Sequence, residues 1–396
     1  MRLAAAVSLV CALAAIGPSA VQQQDASPVV SVIAIPDFWG QHAIWGATGA
    51  DRQGRIWLGV TSSDYGTGTA HLFRYDPASG EVVDTGDVVG ELKRARVRRP
   101  GEKQMKIHSR IVEMPDGYLY FASMDESGEK ADGSKRPQWG GHLWRIGPKG
   151  RWEHLAAAPQ ALIAVAGGGP FVYALGYFDH VVYQYDTRSG RVNAKTVGSA
   201  GGHVSRNFFA DDRGHVFVPR VVQTGTALQA SLVELDPALQ EVADTPLAEY
   251  FERGRDGSHG IVSMHPDGGA GWYFATGKGR LYHVQPGSDG PATVTDKGWY
   301  HPAGARYVAS MFRTGDGRLH GVAEVPKSGG RRFEWVSRDP GGAATVASFP
   351  YGASPAFPQS ALVYGSMTRD ADGRMYVVGT MKYKPIVLQI TLPNAQ

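Results

Sequence analysis

Two short stretches, Lys106-Ile107-His108-Ser109 and Gly140-Gly141-His142-Leu143, each set a histidine at the start of an apolar run, in a chain with only 13 histidines. Other polar groups recur at a matching phase: His42, Gln160, His203, His259, Tyr307 and Tyr364, with Arg206 and Arg306 close by. Histidine, tyrosine, arginine and lysine together suit proton transfer beside a carboxylate. In β-elimination on a uronate, the C5 proton is only weakly acidic. An arginine or protonated histidine must neutralise the carboxylate so that the developing enolate is stabilised. A tyrosine or histidine then removes the proton, and an acid protonates the departing glycosidic oxygen. A free phenol has a pKa of ~10, and a ring of positive charge is expected to lower it. The chain has no Gly-rich phosphate loop, HExxH or GxSxG motif, and its one cysteine is Cys11. Nucleotide use, zinc proteolysis, serine hydrolysis and thiol catalysis are therefore disfavoured. A paired-carboxylate glycosidase stays open, although acidic residues are scarce at these positions.

The elements that must position these groups come from a repeat. A turn followed by an aromatic strand recurs seven times: at Asp51, Pro115, Gly167, Asp211, Pro266, Gly315 and Ala371. Each unit continues into a second strand, such as HLFRYDP, HLWRIGP, VVYQYDT or RLYHVQP. Asp-Gly turns between alternating apolar runs signal hairpins. Units 44 to 65 residues apart fit four-stranded propeller blades. The 52 glycines among 396 residues fit many tight turns, since glycine takes positive φ without a Cβ clash. Helical periodicity is almost absent beyond the N-terminus. The expected fold is all-β, a seven-bladed β-propeller. Its last unit is one strand short, so the strand near Val29 to Ile35 should complete the last blade and close the ring, hiding edges that invite aggregation.

Propeller geometry gives the polar groups an address. With strands A to D running outward from the channel, the Asp-Gly turn joins A to B on one face. The start of A, the B–C loops and the D–A loops lie on the other. That face collects His42, His108, His203, His259, Tyr307 and Tyr364, and the starts of the C strands add His71 and His142. The D–A loop before His108 carries Lys93, Arg94, Arg96, Arg98, Arg99, Lys103 and Lys106. It should overhang this face and attract a polyanion, arginine binding carboxylate or sulfate two-pronged. The B–C insertion from Ser123 to Gly141 contains Trp139, whose ring either stacks on a sugar or anchors the loop.

Residues 1–20 read as a signal peptide: Arg2, an apolar run from Leu3 to Ile16, and a small-residue cleavage site at Pro18-Ser19-Ala20. Residues 21–396 then form one propeller domain, secreted or periplasmic, without a membrane span, a disulfide or a required cofactor, and monomeric. No metal ligand set is legible. Net charge is only +3, and the basic cluster lacks interleaved aromatics, so a nucleic-acid partner is not expected.

Lys106 to Ser109, Asp116-Gly117 with Tyr118 to Ser123, and Gly140 to Leu143 resemble the propeller polysaccharide lyases that cleave ulvan. The specific match covers about forty residues. The resemblance implies a seven-bladed, secreted lyase acting on an acidic polysaccharide, in which His108 and His142 are active-site histidines and Arg206, in HVSRNFFADDRG, binds the uronate carboxylate. It implies a tyrosine acid/base, which Tyr177 in YALGYFDH fits better than Tyr250. His259, Tyr250, Tyr307, Arg306, Trp139 and Arg96 would contact substrate, and a Ca or Zn ion in a supporting role is compatible with the family. The long Met124 to Trp139 segment departs from the family pattern and leaves the polymer open. Two other readings remain: a non-catalytic exported propeller that binds a glycan or protein, and a streptogramin-lyase-like enzyme opening a small cyclic ester.

Overall fold

A computed structural model of the chain describes residues 27–63, 66–130, 134–200, 202–251, 259–327, 330–339, 342–349 and 361–392. The proposed signal segment, with Cys11, lies outside the described residues. Seven antiparallel sheets follow one another around a ring. Blade 2 shows the pattern: strand A is split into Lys106–Ile107 and Val112–Glu113, then B Leu119–Asp125, C Gly140–Ile146 and D Trp152–Ala158. Blade 7 takes three strands from the C-terminal part, Ala361–Arg369, Met375–Met381 and Lys384–Thr391. Its outer strand is Val29–Val32, paired antiparallel with Val29 opposite Thr391 and Val32 opposite Leu388. The ring is thus closed by the N-terminal strand, as the missing strand in the last repeat required.

Burial falls from the channel outward. All seven residues of Ile56–Ser62 and of Leu119–Asp125 are buried, because an inner strand has a neighbouring blade on both faces. The outer strand Val192–Thr196 is mostly exposed. The A–B turns repeat one device. Asp51 accepts from the backbone N–H groups of Gln53 and Arg55 and from the Trp57 indole, and Gly54 turns the chain at φ +78°. Asp211 and Asp370 repeat the same backbone bonds. This fixes the hairpins on one face and leaves the other to the longer loops.

One element departs from expectation. The basic D–A segment contains a helix, Val88–Arg94, capped by Asp87, whose carboxylate accepts from Gly90 N–H. It buries Val88, Val89 and Leu92 against the outer strands Val82–Asp87 and Trp152–Ala158. The signal was a short i, i+1, i+4 apolar stripe behind a good cap, masked by the charges on its other side.

Candidate functional site

The site is centred on Arg206, in the loop leading to strand A of blade 4. Its Nη1 lies 3.2 Å from His108 Nε2 and its Nη2 lies 3.1 Å from His259 Nε2. Its guanidinium carbon lies 4.8 Å from the Tyr364 ring centroid, and Nη1 also reaches the Trp45 carbonyl at 3.4 Å. Guanidinium can only donate, so both histidines turn an Nε2 lone pair towards it. His108 then carries its proton on Nδ1, which donates to the Ile163 carbonyl at 3.1 Å. Burial, and next the Arg206 and Lys106 charges, hold the His108 pKa well below the ordinary value. His108 is therefore neutral. His259 holds φ +104°, a costly conformation for a non-glycine residue, and its ring meets Tyr307 edge-on at 5.5 Å. Residues from five blades, His108, Arg206, His259, Tyr307 and Tyr364, thus meet at the channel mouth. Counting phase from the turns places His108, His259, Tyr307 and Tyr364 on this face, with Arg206 close by.

A second group lies beside them. Tyr177 N–H donates to the Ala161 carbonyl at 2.7 Å, and its hydroxyl is next to Glu126. Burial and then the Glu126 charge raise the Tyr177 pKa, outweighing the opposite pull of Arg206. This corrects the expectation of a phenol made more acidic by positive charge: burial acts first, and the Glu126 carboxylate brought by the Ser123 to Gly141 insertion outweighs Arg206. Glu126 is ion-paired with Lys106. Burial, then the charges of Glu126 and Asp179, push Glu129 up to about 8, so it is largely protonated at neutral pH. The site therefore has a cationic half around Arg206 and an acidic half around Glu126. Sequence reading missed Glu126 and Glu129 because an irregular insertion has no phase to count.

Other proposed residues are placed elsewhere. His142 is 2% exposed. Its Nε2 lies 3.0 Å from Glu102 Oε1 and its Nδ1 lies 2.9 Å from His154 Nε2. The carboxylate accepts, so His142 donates to it and accepts from His154. His142 is a buried link in a Glu102–His142–His154 chain, not a partner of His108. The reason is radial: strand C is two strands out from A, and strands are ~4.8 Å apart. His71 shares this fate, bonded to Asp84 at 2.8 Å. Tyr250 is 1% exposed in the core between blades 4 and 5, so it does not meet a substrate there. His203, 1% exposed, packs edge-on against His180 at 5.5 Å. Trp139 is held by Arg99, whose guanidinium lies 5.3 Å from its ring and donates to its carbonyl; it anchors the loop. Half-buried Arg306 donates from Nη1 to the neighbouring Ala305 carbonyl at 2.7 Å. Arg96 is exposed at φ +61° just past the helix, where its N–H donates to the Lys93 carbonyl at 3.0 Å and Val97 N–H donates to that of Leu92 at 3.1 Å. The helix holds this loop at the rim, and Arg94 and Arg99 pair with Glu91 and Glu102. Of the basic cluster, Lys106 sits at the mouth, its Nζ 5.7 Å from the Trp45 ring centroid.

Among the described residues, no three or more His, Cys, Asp or Glu side chains converge to hold a metal ion, and no helix is long and apolar enough to cross a membrane.

No protein-family model and no curated protein matches the chain. Solved structures do. The extracellular domain of BT4673 from B. thetaiotaomicron matches with a TM-score of 0.55 and 12% identity, over 92% of this chain and 40% of that one. U3-55K matches with a TM-score of 0.52 and 11% identity, over 95% of this chain and 100% of that one. The chain is a seven-bladed β-propeller. It spans about two fifths of the BT4673 domain, and at these identities the likeness is one of fold.

Proposed function

We propose that this propeller is an exported lyase that cleaves a uronate-containing polysaccharide, of the ulvan type, by β-elimination at the channel mouth. The observation that carries this reading is the Arg206 guanidinium shared between His108 Nε2 and His259 Nε2, with the Tyr177 phenol within its electrostatic reach. A substrate carboxylate that takes over the Arg206 Nη2 releases the His259 lone pair. His259 Nε2 then accepts the C5 proton while Arg206 holds the enolate charge. The C4–C5 double bond forms, the C4–O bond breaks, and the departing oxygen takes the proton of Tyr177, which its raised pKa keeps protonated. Solvent returns the proton from His259 to the phenolate. His108 orients Arg206 rather than moving protons.

Incubation with ulvan and other polyuronates, followed by the ultraviolet absorbance of the unsaturated product, tests the reading. Tyr177→Phe should lower turnover by about 10²-fold or more and leave the thermal midpoint nearly unchanged. A folded protein that forms no unsaturated product from any uronate polymer would refute it. One observation favours a second reading, a glycan-binding propeller without catalysis: the Nε2 atoms of both histidines are already engaged by Arg206. That reading expects saturable binding of the same polymers with no product.

A further inference from the structure

Beside the Arg206 cluster, where blades 7, 1 and 2 meet, is a cavity of about 540 Å³. Its walls include His42, Trp45, Thr61, Ser63, Lys106 and Tyr383. The His42 and Tyr383 rings stack at 5.5 Å and 24°, and the Trp45 ring stands 6.0 Å from His42. Tyr383 is 72% exposed. It is presented by a two-residue hairpin between Met381 and Lys384, in which Lys382 has φ +49° and Tyr383 φ +62°. Two-residue turns of this kind favour Asn-Gly, because both positions need positive φ. A Lys-Tyr pair is strained there, and retained strain gathers at functional sites. Independently, Thr61 Oγ1, Ser63 Oγ and Trp45 Nε1 are buried without a hydrogen-bond partner among the described residues, and Thr61 as a whole is 2% exposed. Buried polar atoms are seldom left unpaired, and these belong to residues lining one cavity.

We propose that this cavity is a second sugar subsite, which takes an uncharged pyranose next along the chain from the acidic unit at Arg206. This rests on the reading given under Proposed function. Aromatic faces and hydroxyl and indole donors suit a sugar ring with its hydroxyls. The ring is neutral because Lys106, the cation in the wall, is already paired with Glu126. Trp45 joins the two subsites, its carbonyl reached by Arg206 and its ring lining the cavity. The ligand is therefore an oligosaccharide that alternates acidic and neutral units.

The test uses the full chain and two probes by calorimetry: glucuronate, and tetrasaccharides prepared from desulfated ulvan, in which a uronate alternates with an uncharged sugar. Tyr383→Ala, and separately Lys382→Asn with Tyr383→Gly, which gives the turn residues suited to positive φ, should weaken tetrasaccharide binding tenfold or more. Both should leave glucuronate binding unchanged, and the Asn-Gly variant should melt no lower than the parent. Tetrasaccharide binding unaffected by either variant, with glucuronate still bound, overturns the subsite alone. Loss of the tetrasaccharide in both Tyr383 variants but not in Arg206→Ala supports the subsite and overturns the acidic site. No binding of either probe overturns both.

Discussion

Arg206→Lys keeps the positive charge and removes the fork. Guanidinium reaches His108 Nε2 at 3.2 Å and His259 Nε2 at 3.1 Å with two different nitrogens, while its carbon lies 4.8 Å from the Tyr364 ring centroid. A lysine has one ammonium nitrogen and no planar face, so it can hold one imidazole at most. Each charge-assisted bond is worth about 1.5–3 kcal/mol. If the carboxylate is met by the same fork in the transition state, losing one donor should cost about 10²–10³ in kcat. Arg206→Gln removes the charge as well. The His108 pKa, depressed first by burial and second by Arg206, should then rise in the Gln variant and stay depressed in the Lys variant. Initial rates on a uronate polymer, with histidine C–H resonances followed by NMR across pH, separate the two effects. Activity of Arg206→Lys within threefold of the parent would refute the fork. A His108 titration unchanged in Arg206→Gln would refute its electrostatic coupling to Arg206.

Three further outcomes follow from the described geometry. His142→Ala should cost roughly 2–4 kcal/mol of stability, by removing a buried partner of Glu102 and leaving a cavity; denaturant melts measure this, and a loss of turnover without a loss of stability would contradict it. Arg96→Gly relieves a positive φ at the helix end and should raise Tm by about 1–2 °C, whereas a fall would show that the Arg96 side chain holds the loop. Stability should decline on acidification below about pH 6.5. Burial lowers His154, His180 and His265 to about 4 and His203 to about 2, so between those values and the ordinary one the unfolded chain binds protons that the folded chain does not. Each such group contributes up to about 1.4 kcal/mol per pH unit. A thermal midpoint constant from pH 6.5 to 4.5 would refute this.

The repeat was legible because each blade must spend a turn and an alternating strand on its own local geometry. Asp51, Asp211 and Asp370 close their turns with bonds two and four residues away, so period and blade number are local facts. Phase then carries His108, His259, Tyr307 and Tyr364 to one mouth, with Arg206 just ahead of its strand, since strand A always starts at the same height. Radius was not legible. His142 has the right height but stands two strands out, and its role is set by Glu102 and His154. Nor was charge balance. The basic segment looked like an overhanging cationic loop, but the buried stripe of Val88, Val89 and Leu92 pulls it to the rim. The insertion then brings Glu126 to Lys106 and Tyr177. The ring, its seven blades, its closing strand and the face that bears the polar groups can be read from the residues alone, because those depend on residues close along the chain. Which of those groups touch, which are protonated and where the cavity with Tyr383 opens depend on contacts between blades, and no spacing along the chain encodes them.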